Sequence, residues 1–219
     1  QMKIWLKKYY AWVICGACLL LFFCAVGLVT TAFSTYTPYL KEKIGLTNTE
    51  TSMITTVRCI VTMIAIPLTG KLYGRISLKA GALSAVALVA LSCILFANAG
   101  NAVLCYISAA VMGFAYAFGS IVPISQIIAN WFHDQRSTAL AITTCGSSLS
   151  TAVVPPVITH LIERLGMTTA FYLEVVFIGI SIAVLGLLLH DRPEDIQMQP
   201  FQNSNAGKKE KKKRYLPKI

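Results

Sequence analysis

Residues 80–128 read AGALSAVALVALSCILFANAGNAVLCYISAAVMGFAYAFGSIVPISQII and contain no Asp, Glu, Lys or Arg. An α-helix needs about 20 consecutive apolar residues to cross the hydrocarbon core of a bilayer. The stretch is far longer than one crossing requires. It therefore predicts that several helices of this chain span a membrane.

The whole composition agrees with this interpretation. The chain has 219 residues, of which 56% are hydrophobic and only 13% are charged, whereas a soluble domain is about 45–50% apolar and about 25% charged. Apolar segments long enough to cross a bilayer recur along the sequence. We predict an all-α membrane protein in which residues 1–190 form six spans, at about 10–36, 51–73, 79–98, 102–129, 137–160 and 168–190.

The basic residues predict the orientation. The formal net charge is +10, but the Lys and Arg residues lie mostly in short connections and in the segment 191–219, as the positive-inside rule requires of cytoplasmic loops. This distribution favours a membrane topology over nucleic-acid binding. We expect a multi-pass protein of the plasma (cell) membrane with both termini cytoplasmic and with 191–219 as a basic cytoplasmic linker or tail.

Motifs for catalysis, metals and cofactors are absent from the sequence. The seven cysteines fall within apolar segments, and Cys15-x-x-Cys18 has no second pair or nearby His that would complete a metal site. The chain contains neither an H-E-x-x-H sequence nor a G-x-x-x-x-G-K-[ST] phosphate loop. We expect no enzymatic activity, no cofactor and no metal.

The turn GKLYGRISLK, residues 70–79, joins the second and third spans. It resembles the loop signature of the major facilitator superfamily, roughly G-x-L-a-D-r-x-G-r-k. Gly70, Leu72, Arg75 and Lys79 match that pattern, whereas Gly74 replaces the usual Asp and Ser77 replaces the second Gly. The resemblance implies a gating loop of Gly70, Gly74, Arg75 and Lys79. Asp134 and Arg136 join this set because Asp134 could substitute for the missing acid by pairing with Arg75 or Arg136.

Two further stretches resemble oxalate/formate antiporters and monocarboxylate transporters of that superfamily. Residues 130–142 read NWFHDQRSTALAI, which is similar to the family segment W-F-x-x-x-R-x-x-A-x-x-I, and 36–40 read YTPYL at the exit of the first span. The resemblance implies a twelve-span fold in two halves. This chain would be the N-terminal half, and its partners would be a lipid bilayer, a small-molecule solute and the missing C-terminal six-helix half.

Arg58 is the only basic residue well inside a predicted span. A charge there costs several kcal/mol unless it faces a cavity or a partner, so Arg58 is a candidate for binding a carboxylate. Two alternatives remain open: Arg58 extends toward the membrane surface, or it pairs with Glu174. The resemblance further implies that spans one and four line the solute cavity, which adds four substrate-binding candidates: Thr30, Ser34, Tyr116 and Ser120. Small polar residues are equally expected at ordinary helix contacts.

These features predict a secondary active transporter that moves a small organic solute, specifically a carboxylate, by alternating access. The alternative is a six-span fragment or assembly partner that transports nothing by itself. Glu174 is the only acid within a predicted span, and a peripheral packing role is favoured for it over proton coupling. The sequence leaves antiport, uniport and proton symport open.

Overall fold

The computed structural model describes residues 2–191 and 193, and every regular element in that part of the chain is helical. Apart from Asp191 and Pro193, the predicted linker 191–219 lies outside the described residues. Six helices are long and apolar enough to cross a membrane: Tyr10–Ile44, Asn48–Leu72, Leu78–Ala97, Ala102–Trp131, Arg136–Leu165 and Met167–Leu188. We call them spans one to six. The prediction of an all-α protein with six membrane helices is confirmed.

Span one contains an unusual segment and continues further than predicted. It belongs to a longer helical run that comprises the α-helix Met2–Phe22, a π-helical segment Phe23–Ala32 and the α-helix Phe33–Ile44. Pro38 lies inside the last of these, and the helix continues past residue 36, where the predicted span ends. The helix instead ends at Gly45, whose φ of 74° is in the left-handed region that glycine adopts without a steric penalty.

Span four is two helices rather than the continuous helix predicted for 102–129. The first, Ala102–Phe118, ends at Gly119, and the second, Ile121–Trp131, begins after Ser120. The Ser120 hydroxyl accepts a hydrogen bond from the Val122 N–H and caps the second helix. Pro123 therefore lies in a first helical turn, where its missing N–H leaves no acceptor unpaired, rather than at a kink inside a helix.

Close contacts between spans occur at glycines. A Cβ on Gly146 of span five would lie 2.5 Å from the Leu19 carbonyl oxygen of span one, and a Cβ on Gly27 would lie 2.3 Å from the Cβ of Ser150. Span four has the same feature, because a Cβ on Gly113 would lie 2.7 Å from the Arg58 carbonyl oxygen of span two. Lipid supplies no hydrophobic driving force between helices, so van der Waals contact at small residues holds such bundles together.

The start of span two has the capping box that its sequence TNTE predicts. The Thr47 hydroxyl accepts from the Glu50 N–H at 3.2 Å, and the Glu50 carboxylate accepts from the Thr47 N–H at 2.8 Å. Both otherwise unpaired N–H groups are thereby satisfied.

Replacing Thr47 tests the energetic value of this cap. Thr47→Ala removes one of the two reciprocal hydrogen bonds, so we expect it to destabilise the protein by about 1 kcal/mol. Thermal unfolding in detergent, followed by helical circular dichroism, measures the effect. Thr49→Ala, two positions further along the same exposed turn, is the matched control and should leave the unfolding midpoint within error. Equal midpoints for Thr47→Ala and the unmodified protein would contradict the assigned cap.

Candidate functional site

A cleft that carries a row of hydroxyl groups opens between spans one and five. It has a volume of about 420 Å³ and is lined by four hydroxyl residues of span one and two residues of span five: Thr30, Thr31, Ser34, Thr35, Thr151 and Pro155. Thr30 and Thr31 belong to the π-helical segment, a type of helix distortion that is frequent at functional sites. The structure thus brings the candidates Thr30 and Ser34 together in one cleft.

The hydroxyl groups of the cleft are oriented by their own helices. Ser34 donates to the Thr30 carbonyl at 2.7 Å, Thr30 donates to the Val26 carbonyl at 2.8 Å, and Thr35 donates to the Thr31 carbonyl at 3.0 Å. In span five, Thr151 donates to the Ser147 carbonyl at 3.0 Å. A hydroxyl whose proton is used in this way still offers oxygen lone pairs. The cleft therefore presents hydrogen-bond acceptors to an incoming solute.

Thr31 and Thr151 connect the two sides of the cleft. Their hydroxyl oxygens lie 3.3 Å apart. Because Thr151 donates its proton to the Ser147 carbonyl, Thr31 is the donor in this contact. Thr31 is in span one and Thr151 is in span five, so a solute that replaces this bond would change how the two helices are held together. The substrate-binding candidates did not include Thr31, Thr35, Thr151 or Pro155. Thr31 belongs to the same polar stripe as Thr30, whereas no signal in the sequence indicates which face of span five meets it.

Arg58 lies beside span one but does not line the cleft. Its guanidinium carbon is 6.0 Å from the centre of the Phe33 ring, and Phe33 directly precedes Ser34 of the cleft. Its Nε is buried and has no hydrogen-bond partner. No ion pair joins Arg58 to Glu174, both of which lie in the described part of the chain. The guanidinium group is therefore held by a cation–π contact and keeps an unsatisfied donor.

Tyr116 and Ser120 do not lie at the cleft. Tyr116 is half-buried and packs against the hydrophobic core, and Ser120 is buried as the cap of the second helix of span four. Their predicted contact with solute stays a prediction. The Ser120 hydroxyl already caps the second helix of span four.

The turn 70–79 is anchored to the break in span four. The Tyr73 ring covers Gly81 of span three, and its hydroxyl donates to the Phe118 carbonyl at 2.5 Å, just before the break. Arg75, together with Gly74, lines a cavity of about 430 Å³ whose opposite wall includes Asn130. The Gly70 position is open, since a Cβ there would have no heavy atom within 4 Å. The gating role of Gly70, Gly74 and Arg75 stays a prediction.

Asp191, which was not among the candidates, joins the start of span three to the end of span six. Its carboxylate accepts from the Lys79 N–H, and its carbonyl accepts from the Asn130 side-chain amide at 3.0 Å. Next to it, the Trp131 indole donates to the His190 carbonyl at 2.8 Å. An acid at a helix N-terminus also interacts favourably with the helix dipole. The candidate Lys79 thus contributes its backbone N–H to this junction.

The two remaining loop candidates lie between spans four and five. Asp134 is 3.8 Å from His133, and the Arg136 guanidinium donates to the Phe132 carbonyl at 2.7 Å. The residue between them, Gln135, has a φ of 63°, which costs conformational energy in a residue other than glycine. Whether Asp134 pairs with Arg75 or Arg136 stays a prediction.

The six membrane helices and the hydroxyl-lined cleft between spans one and five are features that membrane transport proteins share. The sequence model of the Major Facilitator Superfamily matches residues 18–216. The chain belongs to this superfamily, and its six spans form half of the superfamily's fold. The predicted resemblance is confirmed at this level, whereas the similarity to oxalate/formate antiporters and monocarboxylate transporters stays a prediction. A comparison with curated proteins gives no match.

Proposed function

We propose that this protein is a secondary active transporter that moves a small organic carboxylate across the plasma membrane by alternating access. The observation that carries the proposal is the cleft between spans one and five, with its row of hydroxyl groups at membrane depth. Both termini are then cytoplasmic, as the basic residues predict. Ion or solute gradients supply the energy.

Arg58 supports an anionic solute. A guanidinium group inside a span, with a buried Nε that has no acceptor, leaves a donor that a carboxylate can satisfy with charge-assisted hydrogen bonds. Phe33 holds the group next to the helix face that carries Ser34. The proposal requires the flexible Arg58 side chain to reach the solute from its position beside span one.

The cleft hydroxyls support a solute that also carries a donor. Because Thr30, Ser34 and Thr35 donate to backbone carbonyls, their oxygens accept from the solute, and a plain carboxylate has no donor to offer them. A hydroxycarboxylate satisfies both requirements, with its carboxylate on Arg58 and its hydroxyl on the cleft. We therefore expect hydroxycarboxylates to bind better than the matching unsubstituted acids.

A second six-helix unit completes the transporter in this proposal. Only 17% of the most apolar segment of span two is buried, and only 28% of the corresponding segments of spans five and six. Spans two and five leave large apolar side chains exposed, among them Met63, Leu68 and Leu149. Packing against a second unit would cover these faces and enclose the cleft, as rocking of two halves about a midplane site requires.

A solute screen by thermal stability tests the proposal. A ligand that binds only the folded protein raises the apparent Tm, by an amount equivalent to about 2.7 kcal/mol at 100 times its Kd. We expect 2-hydroxypropionate to raise the Tm more than propionate, and neutral sugars or amines to leave it unchanged. Thr151→Val removes the span-five hydroxyl at nearly constant volume and should reduce the advantage of the hydroxy acid. Stabilisation by sugars or amines alone would reject carboxylate transport, and stabilisation by no solute would favour the assembly-partner alternative.

A further inference from the structure

Glu174 is a membrane-embedded acid for which the described part of the chain supplies no counter-ion. It lies in the first half of span six, and its Oε2 is buried without a hydrogen-bond partner among the described residues. The Tyr36 hydroxyl of span one approaches this carboxyl, yet Tyr36 Oη is also buried without a hydrogen bond. An ionised carboxylate in such a place costs far more than a neutral acid, because the apolar interior does not solvate the charge.

Tyr36 is fixed in its position by aromatic stacking. Its ring lies 3.8 Å from the centre of the Phe171 ring, with an angle of 14° between the planes. Phe171 is three residues before Glu174, so both face the same side of span six. The tyrosine side chain is 1% exposed. The hydroxyl therefore remains beside the carboxyl, and the ring stack joins span one to span six.

An apolar cavity leads to Glu174 from the groove between spans five and six. Its volume is about 230 Å³, and all the lining residues except Glu174 are apolar; on span five they include Val153, Val157 and Leu161. Polar groups are almost absent from its surface. The cavity admits apolar molecules to the acid but offers no solvation for a separated charge.

The other titratable groups near the carboxyl are weak acids. Tyr36 and Cys24 face it from span one, and Cys93 faces it from span three. The residues that span five directs toward it are apolar. The ammonium group of Lys43 is bound to the Thr168 hydroxyl at 3.1 Å, near the start of span six. In the described residues, nothing next to Glu174 compensates a negative charge.

We propose that Glu174 is a proton-binding residue of the transport cycle, with Tyr36 as its hydrogen-bonding partner. The protonated acid donates its O–H to Tyr36 Oη. On release of the proton, the same hydroxyl turns and donates to the carboxylate, so one neighbour serves both states. Tyr36 directly follows Thr35 of the cleft, which connects proton binding on one face of span one with solute binding on the other. This coupling rests on the proposed transport function, whereas the proton-binding property does not.

Labelling with dicyclohexylcarbodiimide tests the site without any solute. The carboxylic acid adds across a C=N bond of this apolar reagent, its proton moves to nitrogen, and no group is lost, so the adduct has the summed mass. The full chain is treated in detergent at pH 6, 7, 8 and 9, and peptide mass spectrometry measures the adduct at Glu174. We expect strong labelling at pH 6 that falls at least several-fold by pH 9. No adduct at any pH, or labelling that does not depend on pH, would overturn the proposal.

Two variants and a second reagent make the test specific. Tyr36→Phe removes the donor that stabilises the carboxylate, so the midpoint of labelling should move upward by about one pH unit. Glu163, an exposed acid near the end of span five, should react with a water-soluble carbodiimide, and Glu163→Gln should leave the labelling of Glu174 unchanged. A Tyr36→Phe midpoint equal to that of the unmodified protein would reject the partner role of Tyr36. Failure of the solute screen leaves these outcomes unaffected, so the two proposals fail separately.

Discussion

Gly146→Val is expected to destabilise the six-helix bundle by about 3 kcal/mol. Gly146 lies in span five at the point where it crosses span one. A Cβ there would be 2.5 Å from the Leu19 carbonyl oxygen and 3.2 Å from the Phe23 amide nitrogen. Both are backbone atoms of a helix, so neither can move as a flexible side chain would. Spans one and five would have to separate, which would also disrupt the cleft between them.

The matched control is a glycine-to-valine substitution at a position where the structure leaves space for the added side chain. Gly179 lies in span six with an exposed position, and a Cβ on it would meet no heavy atom within 4 Å. Gly179→Val introduces the same side chain into a helix of the same protein without a clash. The difference between the two variants therefore measures the close helix contact alone.

Yield of monodisperse protein in size-exclusion chromatography, together with the thermal unfolding midpoint, provides the measurement. We expect Gly146→Val to be recovered as aggregate, or with a strongly lowered midpoint, and Gly179→Val to resemble the unmodified protein. Equal stability of the two variants would mean that spans one and five do not approach each other at Gly146.

The sequence predicts the number and approximate position of the spans because hydropathy reports directly on burial in lipid. The capping box at Thr47 was also predictable, since its two hydrogen bonds depend on residues three positions apart. The break in span four is visible in the sequence. Gly119 ends the first helix, Ser120 caps the second helix, and Pro123 lies in the first turn of that second helix. The π-helical segment Phe23–Ala32 left no comparable signal, because its composition is that of any apolar helix.

The residues of the site were predicted only in part, because the remaining ones depend on how different helices pack against one another. The hydroxyl row on span one follows from helical periodicity, which places Thr30 and Ser34 on one face. That Thr151 faces this row depends on how spans one and five cross, and periodicity within one helix says nothing about a neighbour. Asp191 was missed for the same reason, because its acceptor role requires the end of span six to meet the start of span three.

Arg58→Ala is expected to reduce carboxylate uptake into proteoliposomes by about 100-fold. The magnitude follows from the 2–5 kcal/mol typically lost when one partner of a buried, hydrogen-bonded charge pair is removed. Arg58→Lys keeps the charge but loses the planar pair of parallel donors, so uptake should be intermediate. Arg164→Ala, an exposed cation at the end of span five, is the control and should retain full uptake.

If Arg58 were needed for the structure rather than for solute binding, its removal would destabilise the protein. The contacts of Arg58 distinguish these two roles. Among the described residues its Nε has no hydrogen-bond partner, and its guanidinium lies against the Phe33 ring face and 4.0 Å from the Cys59 sulfur. Removing it breaks no ion pair in the described chain and relieves an unsatisfied donor, so the unfolding midpoint of Arg58→Ala should stay close to that of the unmodified protein. Stabilisation by 2-hydroxypropionate should disappear in the same variant. Unchanged uptake with intact stabilisation would show that the solute's charge is met elsewhere, whereas a collapse of folding would show that Arg58 holds spans one and two together.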